Sequence, residues 1–228
     1  MLGANRAIDT SHAGYCPAPM PPPGRFARLA GAAIAGYLLG TIPSADLAAQ
    51  AATAGRADLR TSGSGNPGAA NALAVLGTGW GLGVMAADVG KGAAACGLGR
   101  RIAGDDGAHL AGTTAVIGHC YPVWNGFRGG KGVAASAGQC LANFPAYFAF
   151  DLGVAALSVS SPKWKQRAFV ATAAASACWV TAGAVWVRNG WPNAWGPRPT
   201  MALPLSAAAS SAVILDKFRR AAAVERPA

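Results

Sequence analysis

The stretch LAGAAIAGYLLGTIPSADLAAQAA, Leu29 to Ala52, carries one charged side chain in twenty-four residues. A run this long and this apolar reads as a membrane-spanning helix rather than the core helix of a soluble domain. The run as a whole extends from about Phe26 to Ala54. Pro43 removes a backbone donor within it and is expected to kink it. Asp46 lies in the second half and is either an interfacial anchor or a site residue.

Working outward, apolar runs recur at Gly79–Gly99, at about His109 or Leu110 to Trp124, at Gly132–Ser160, at Ala168–Val187 and at Met201–Leu215. Gly132–Ser160 is long enough for two short helices broken near Asn143–Pro145. The expected fold is therefore all-α, a polytopic membrane helical bundle of about seven spans, or six or fewer if that block stays whole. Of the 228 residues 52% are hydrophobic and 12% charged, against about 25% charged in a soluble domain. Alanine and glycine fill the runs where leucine is usual. Such residues suit close helix packing in lipid, although a biased coding composition gives the same pattern.

Three parts are expected: a polar, proline-rich, disordered tail over 1–24, an integral membrane domain over 25–220, and a short tail over 221–228. The formal net charge is +10, but the cations come in twos and threes between apolar runs. That pattern marks membrane flanks, not a nucleic-acid surface. In a seven-span arrangement Arg56, Arg60, Arg128, Lys131, Lys163, Lys165, Arg167, Lys217, Arg219 and Arg220 share one face, which is expected to be cytoplasmic. Five cysteines without CxxC spacing read as free, buried thiols. No metal-ligand spacing and no cofactor signature stand out.

Two glycine-rich loops fall on that cationic face. In RGGKG, Arg128, Gly129, Gly130, Lys131 and Gly132, backbone N–H groups free of Cβ atoms can converge on an anion, and the N-terminus of the next helix favours negative charge. The Walker A spacing is absent, and a flexible cationic turn is the plain alternative. In SGSGNPGAAN, Ser62 to Asn71, the side chains of Ser64 and Asn66 and the backbone at Gly63, Gly65 and Gly68 offer a second cradle; a cap and linker is the alternative there. Asp88 and Lys91 are spaced to share one helix face. Charges inside a span pair or line a polar interior, so they mark a site or a structural bridge. His119 closes its run just before Tyr121 and Pro122, and is a base, a loop-orienting group or a packed histidine. His109, after Asp105 and Asp106, reads as part of a solvated turn.

Four segments, GYLLGTIPSADL, DLRTSGSGNPGAANALAVLG, DVGKG and GHCYPVWNGFRGGKGVAASAG, occur in this order from Gly36 to Gly138. Together they resemble the acyl-phosphate-dependent glycerol-3-phosphate acyltransferases (the PlsY family) of bacterial membranes. The resemblance implies an integral, seven-span enzyme of the bacterial inner membrane with its glycine-rich loops facing the cytoplasm. It implies acyl transfer from acyl phosphate to the 1-hydroxyl of glycerol 3-phosphate, giving lysophosphatidate and phosphate for phospholipid synthesis. The implied partners are glycerol 3-phosphate, acyl phosphate and membrane lipid, without a cofactor. It assigns phosphate binding to Gly129, Gly130, Lys131 and Gly132, the essential motif serine to Ser64, and the motif asparagines to Asn66 and Asn71. Ser64, His119 and Lys131 are the candidate catalytic residues. Arg60, Gly63, Gly65, Asn66, Asn71, Asp88, Lys91, Arg128, Gly129, Gly130 and Gly132 are the candidate substrate-binding ones.

The chain departs from the pattern at three places. Ala74 stands where the motif has arginine, and LDKFRR, Leu215 to Arg220, replaces a C-terminal histidine, arginine, glutamate and asparagine set, with Asp216 in place of the glutamate. The third is a reduced basic segment, SPKWKQRAFVA from Ser161. Arg60 or Arg128 can supply the missing cation. Two other readings stay open: a catalytically degenerate relative that binds lipid or phosphate or assists another enzyme, and a small transporter lined by Asp88 and Lys91.

Overall fold

The computed structural model describes residues 24–159 and 164–224. The expected N-terminal tail, apart from Gly24, lies outside that range, as do Ser161 to Lys163 and the last four residues. Among the described residues every regular element is helical.

The apolar run around Leu29 breaks where its proline predicts. Helix α1 (Arg25–Gly40) ends at Thr41, and α2 (Ser44–Thr53) starts after Pro43. The polar loop that follows is shorter than expected, because α3 (Ala69–Leu76) begins within the SGSGNPGAAN stretch and carries Asn71. Next comes α4 (Thr78–Cys120), a helical hairpin whose arms meet at non-helical Ala103 and Gly104. Gly104, at φ +70° and ψ −158°, takes a positive-φ extended conformation that glycine alone adopts readily. The block expected to divide near Asn143–Pro145 does so, into α5 (Val133–Asn143) and α6 (Pro145–Val159). Trp164 to Arg167, expected in a basic loop, form the first turn of α7 (Trp164–Asn189), and α8 (Ala202–Val224) ends the described chain.

Small residues decide how these helices meet. A Cβ at Gly36 or Gly40 of α1 would run into the backbone of Ala111 or Ala115 on the second arm of α4. Gly92 meets Ala135 of α5, Gly138 meets Val89, and Gly99 meets Gly107 across the hairpin. Backbones that close gain dispersion contacts along their length, which is how helices associate without a hydrophobic drive between them. The glycines at these places are packing residues, whatever coding bias also produced them.

The polarity of the bundle is inverted relative to a soluble protein. Gln139 and Ser210 are 0% exposed and Asp88 is 2%, while Leu205 is 63%, Phe150 56% and Leu82 50% exposed. A broad outward apolar surface around a polar interior suits lipid as solvent. Two stretches, Arg25–Thr53 and Ala168–Asn189, are long and apolar enough to cross a membrane by length and composition. Cys96, Cys120 and Cys140 are buried free thiols, as expected, but Cys178 is exposed on α7.

Charge separates to opposite ends. Arg25 pairs with Asp106 at 2.7 Å, Arg100 with Asp105 at 2.9 Å, and Asp105 also accepts the Arg198 N–H. His109, expected beside them in a solvated turn, is 3% exposed instead, with Nδ1 at 3.3 Å from Ser206 Oγ. The hairpin bend ends at Gly104, so His109 is already one turn into the second arm and faces α8. The other end holds Arg60, Arg128, Lys131 and the close of α8.

Candidate active site

The first glycine-rich loop is folded around Asn71. From α3, the buried Asn71 amide donates to the carbonyls of Leu59 (2.8 Å) and Ser62 (3.0 Å), and its Oδ1 accepts the Ser64 N–H (2.9 Å). Both sides of the amide are thus spent on the loop backbone. The two tight corners, Gly63 at φ +61° and Gly65 at φ +67°, are positions where a side chain would be strained. A Cβ on Gly63 would also strike Asn71 Oδ1. Ser64 stands exposed at the tip and Asn66 is half-buried.

The second loop leaves α4 through Tyr121 and Pro122, makes a 3-10 turn over Val123–Asn125, and passes Phe127 at φ +63°. Gly129 donates its N–H to the Cys120 carbonyl (3.1 Å) and Gly130 to that of His119 (3.2 Å). These two N–H groups are therefore folded back on the end of α4 rather than spread around an empty nest. Glycine is needed for that approach: a Cβ at 129 would strike the His119 carbonyl, and one at 130 the His119 ring nitrogen Nε2. The same Cβ at 130 would lie 3.1 Å from the Pro67 carbonyl, so the two glycine-rich loops touch. Gly132, at φ +89°, caps the start of α5.

Where the loops touch, a narrow cleft opens against the α1–α2 kink. Its lining includes Ile42, Asp46, Arg60, Pro67, Asp88, Lys91, His119, Asn125, Gly129 and Gly130. At the mouth Arg60 grips Asp46 with two parallel bonds, Nη1 to Oδ1 at 2.6 Å and Nη2 to Oδ2 at 2.9 Å. Asn125 donates to the same Asp46 Oδ2 at 2.7 Å, and Arg60 also reaches the Arg128 carbonyl at 3.3 Å. The bonds to Asp46 hold the Arg60 guanidinium above its ordinary pKa, against the pull of partial burial. At the floor Lys91 Nζ lies 2.9 Å from Asp88 Oδ1, and His119 Nδ1 lies 3.5 Å from the same oxygen. Lys91 also donates to the Ile42 carbonyl at 2.9 Å. Asp88 and Lys91 are thus at once an ion pair and part of the lining.

Lys131 turns toward α8, with Nζ 4.6 Å from the centroid of Phe218. Asp216 accepts from the Tyr121 hydroxyl at 2.6 Å and from Arg220 at 2.7 Å, and Lys217 lies over the Tyr121 ring. The end of α8 therefore packs beside the second loop.

Of the expected site residues, Arg60, Asp88, Lys91, His119, Gly129 and Gly130 line one cleft. Ser64, Asn66, Arg128, Lys131 and Gly132 lie on the two loops outside that lining, with Lys131 turned to Phe218 and Gly132 packed on Cys120, and Asn71, Gly63 and Gly65 shape the first loop. The sequence reading did not single out Asn125 or the Ile42 carbonyl, although Asn125 opens the NGFRGGKG stretch. It left Asp46 undecided, and the structure puts Asp46 at the mouth. Among the described residues no three His, Cys, Asp or Glu side chains gather as a metal site.

The glycerol-3-phosphate acyltransferase family profile matches residues 30–222. A glycerol-3-phosphate acyltransferase of Symbiobacterium thermophilum is 42% identical over 139 residues, 61% of this chain and 68% of the relative. One from a Jannaschia species is 45% identical over 130 residues, 56% of this chain and 59% of the relative. Matches to others span about half of the relative's length. The crystal structure of PlsY (YgiH), described as an integral membrane glycerol 3-phosphate acyltransferase in its glycerol 3-phosphate form, superposes with a TM-score of 0.68 at 28% identity. It covers 84% of this chain and 88% of that one. The lysophosphatidic acid form gives 0.66 at 27% identity, with the same coverage.

Proposed function

This chain belongs to the glycerol-3-phosphate acyltransferase family, and on that premise we propose that it transfers an acyl group from acyl phosphate to the 1-hydroxyl of glycerol 3-phosphate. The observation that carries the reading is the meeting of two glycine-rich loops on one cleft with Arg60, Lys91 and His119 in its lining. An acyl phosphate is a mixed anhydride, already activated, so positioning and charge stabilisation are what the protein must add.

In this reading Lys131 and Arg60 take the phosphate of glycerol 3-phosphate, with Gly129 and Gly130 shaping the cleft wall rather than donating to it, and Ser64 and Asn66 take the acyl-phosphate head. The hydroxyl oxygen attacks the acyl carbon and an ester C–O bond forms. The bond from that carbon to the phosphate oxygen breaks, and the departing phosphate keeps the electron pair. The hydroxyl proton leaves to a phosphate oxygen or to His119. The acyl chain lies between helices, against the apolar exterior. Residues 25–220 form the membrane domain, with seven spans in a bacterial inner membrane and both loops facing the cytoplasm.

Ala74, exposed on α3, favours a second reading in which the chain binds phosphate without turnover. One experiment separates the two. Purified protein in bilayers is given acyl phosphate and labelled glycerol 3-phosphate. The enzyme reading expects lysophosphatidate and inorganic phosphate in equal amounts, and its loss in a Lys131→Ala, Ser64→Ala double variant. Binding of glycerol 3-phosphate with no product supports the second reading. Full activity in the double variant removes the site assignment.

A further inference from the structure

Asp88 is 2% exposed and does not reach the mouth of the cleft, yet it joins two of the cleft's walls. On one side Lys91 Nζ, 2.9 Å from Asp88 Oδ1, donates to the Ile42 carbonyl at the α1–α2 kink. On the other, His119 Nδ1 faces the same oxygen at 3.5 Å, a close approach rather than a well-aligned hydrogen bond, and neither atom has a well-aligned hydrogen bond elsewhere. The His119 ring packs on Gly130, and its carbonyl holds the Gly130 N–H. A continuous chain of contacts thus runs from Ile42 through Lys91, Asp88 and His119 to Gly130.

We propose that Asp88 is a positioning residue for acyl transfer: acting through Lys91 and His119, it fixes the Ile42 and Gly130 walls of the cleft relative to each other. The proposal rests on the cleft being the glycerol 3-phosphate site. The physical reason for a carboxylate here is charge. A lone ammonium inside a bundle surrounded by lipid is costly, and a carboxylate within reach offsets that cost and holds Lys91 pointed at Ile42. The same oxygen gives His119 Nδ1 a partner, which orients the ring against Gly130.

The test uses the full chain in detergent. Asp88→Asn keeps the shape and removes the charge. Asp88→Leu, Lys91→Met removes the pair together, a replacement that buried ion pairs tolerate without loss of folding. Lys91→Arg keeps the charge and the donor. Backbone hydrogen exchange is followed at Gly129 and Gly130, whose N–H groups are bonded to the end of α4, and at helical amides of α5 as the reference. The expected result is exchange at least tenfold faster at 129 and 130 in the first two variants. The α5 reference stays unchanged, and Lys91→Arg exchanges at the wild-type rate at 129 and 130. The KM for glycerol 3-phosphate should rise about tenfold, with kcat within threefold. Unchanged exchange at 129 and 130, or equally faster exchange in α5, overturns the proposal. The exchange result needs no turnover, so wild-type protein without acyltransferase activity counts against the functional reading alone.

Discussion

The carboxylate of Asp46 and the guanidinium of Arg60 meet edge to edge, two nitrogens on two oxygens at 2.6 and 2.9 Å, at the mouth of the cleft. Asp46 comes from the first turn of α2 and Arg60 from the first glycine-rich loop, while Asn125 brings the second loop to the same carboxylate. One carboxylate therefore ties three segments around the opening, and it occupies the fork of a cation suited to phosphate.

Arg60→Ala is expected to raise the KM for glycerol 3-phosphate by about ten- to a hundredfold, the worth of one charge-assisted contact of about 1.5–3 kcal/mol. Arg60→Lys should fall between, because it keeps the charge but loses the fork. Stability should change by less than about 1 kcal/mol, since the pair is partly open to solvent. Steady-state kinetics on the three proteins decide it. An Arg60→Ala protein with the wild-type KM would take the phosphate role away from this residue.

Glycines should divide sharply by what surrounds them. A Cβ at Gly130 would meet His119 and Pro67, whereas one at Gly97, within α4, meets nothing within 4 Å. Gly130→Ala is therefore expected to displace the loop and lower kcat/KM at least a hundredfold. Gly97→Ala should stabilise the protein by about 0.5–1 kcal/mol, through helix propensity alone, and leave activity unchanged. Thermal unfolding in detergent and activity on the same samples are the check, and a silent Gly130→Ala would contradict the close packing of His119 on the loop.

Most of the long helices were readable because their breaks are announced locally. Pro43 marks the α1–α2 break, and the Asn143–Pro145 step marks the one between α5 and α6. The cleft was readable only in pieces. Asp88 and Lys91 share a helix face by spacing, but the contact of Asp88 with His119 joins residues 31 apart, and Asn125 reaches Asp46 across 79. Such contacts depend on where a hairpin bends. The bend at Gly104 likewise carried His109 into the bundle, although its acidic neighbours read as a solvated turn. Asn71 was assigned to substrate through the family resemblance, as one of its two motif asparagines. Its use inside its own loop follows from α3 beginning at Ala69, which no cap residue announced.

Lys131 lies over the ring of Phe218, which in turn packs edge-on to Phe169 at 6.3 Å. A cation held this way at a partly open site gains about 0.5–1 kcal/mol. If Lys131 leaves the ring to meet phosphate, Phe218→Leu removes a competitor and should tighten glycerol 3-phosphate binding by about two- to fivefold. Lys131→Ala should instead weaken it by more than tenfold. Calorimetric titration of the two variants separates these directions. A Phe218→Leu protein that binds as poorly as Lys131→Ala would show that the ring holds the lysine in its working position.

Gln139 is wholly buried and joins three helices, its Oε1 accepting from Ser210 Oγ of α8 at 2.7 Å and its Nε2 donating to Thr113 of α4 at 3.3 Å. Neither Gln139 nor Ser210 lines the cleft. Ser210→Ala leaves the Gln139 oxygen without its donor and is expected to cost about 1 kcal/mol, the scale of an interhelical hydrogen bond in a membrane protein. The paired change Gln139→Leu, Ser210→Ala removes both polar ends and should recover most of that loss, so the double-mutant cycle yields a coupling energy of similar size. The KM for glycerol 3-phosphate should stay at the wild-type value throughout. Additive losses in the cycle would mean that the two side chains contribute to packing rather than through their hydrogen bond. A changed KM would place this buried network in communication with the cleft.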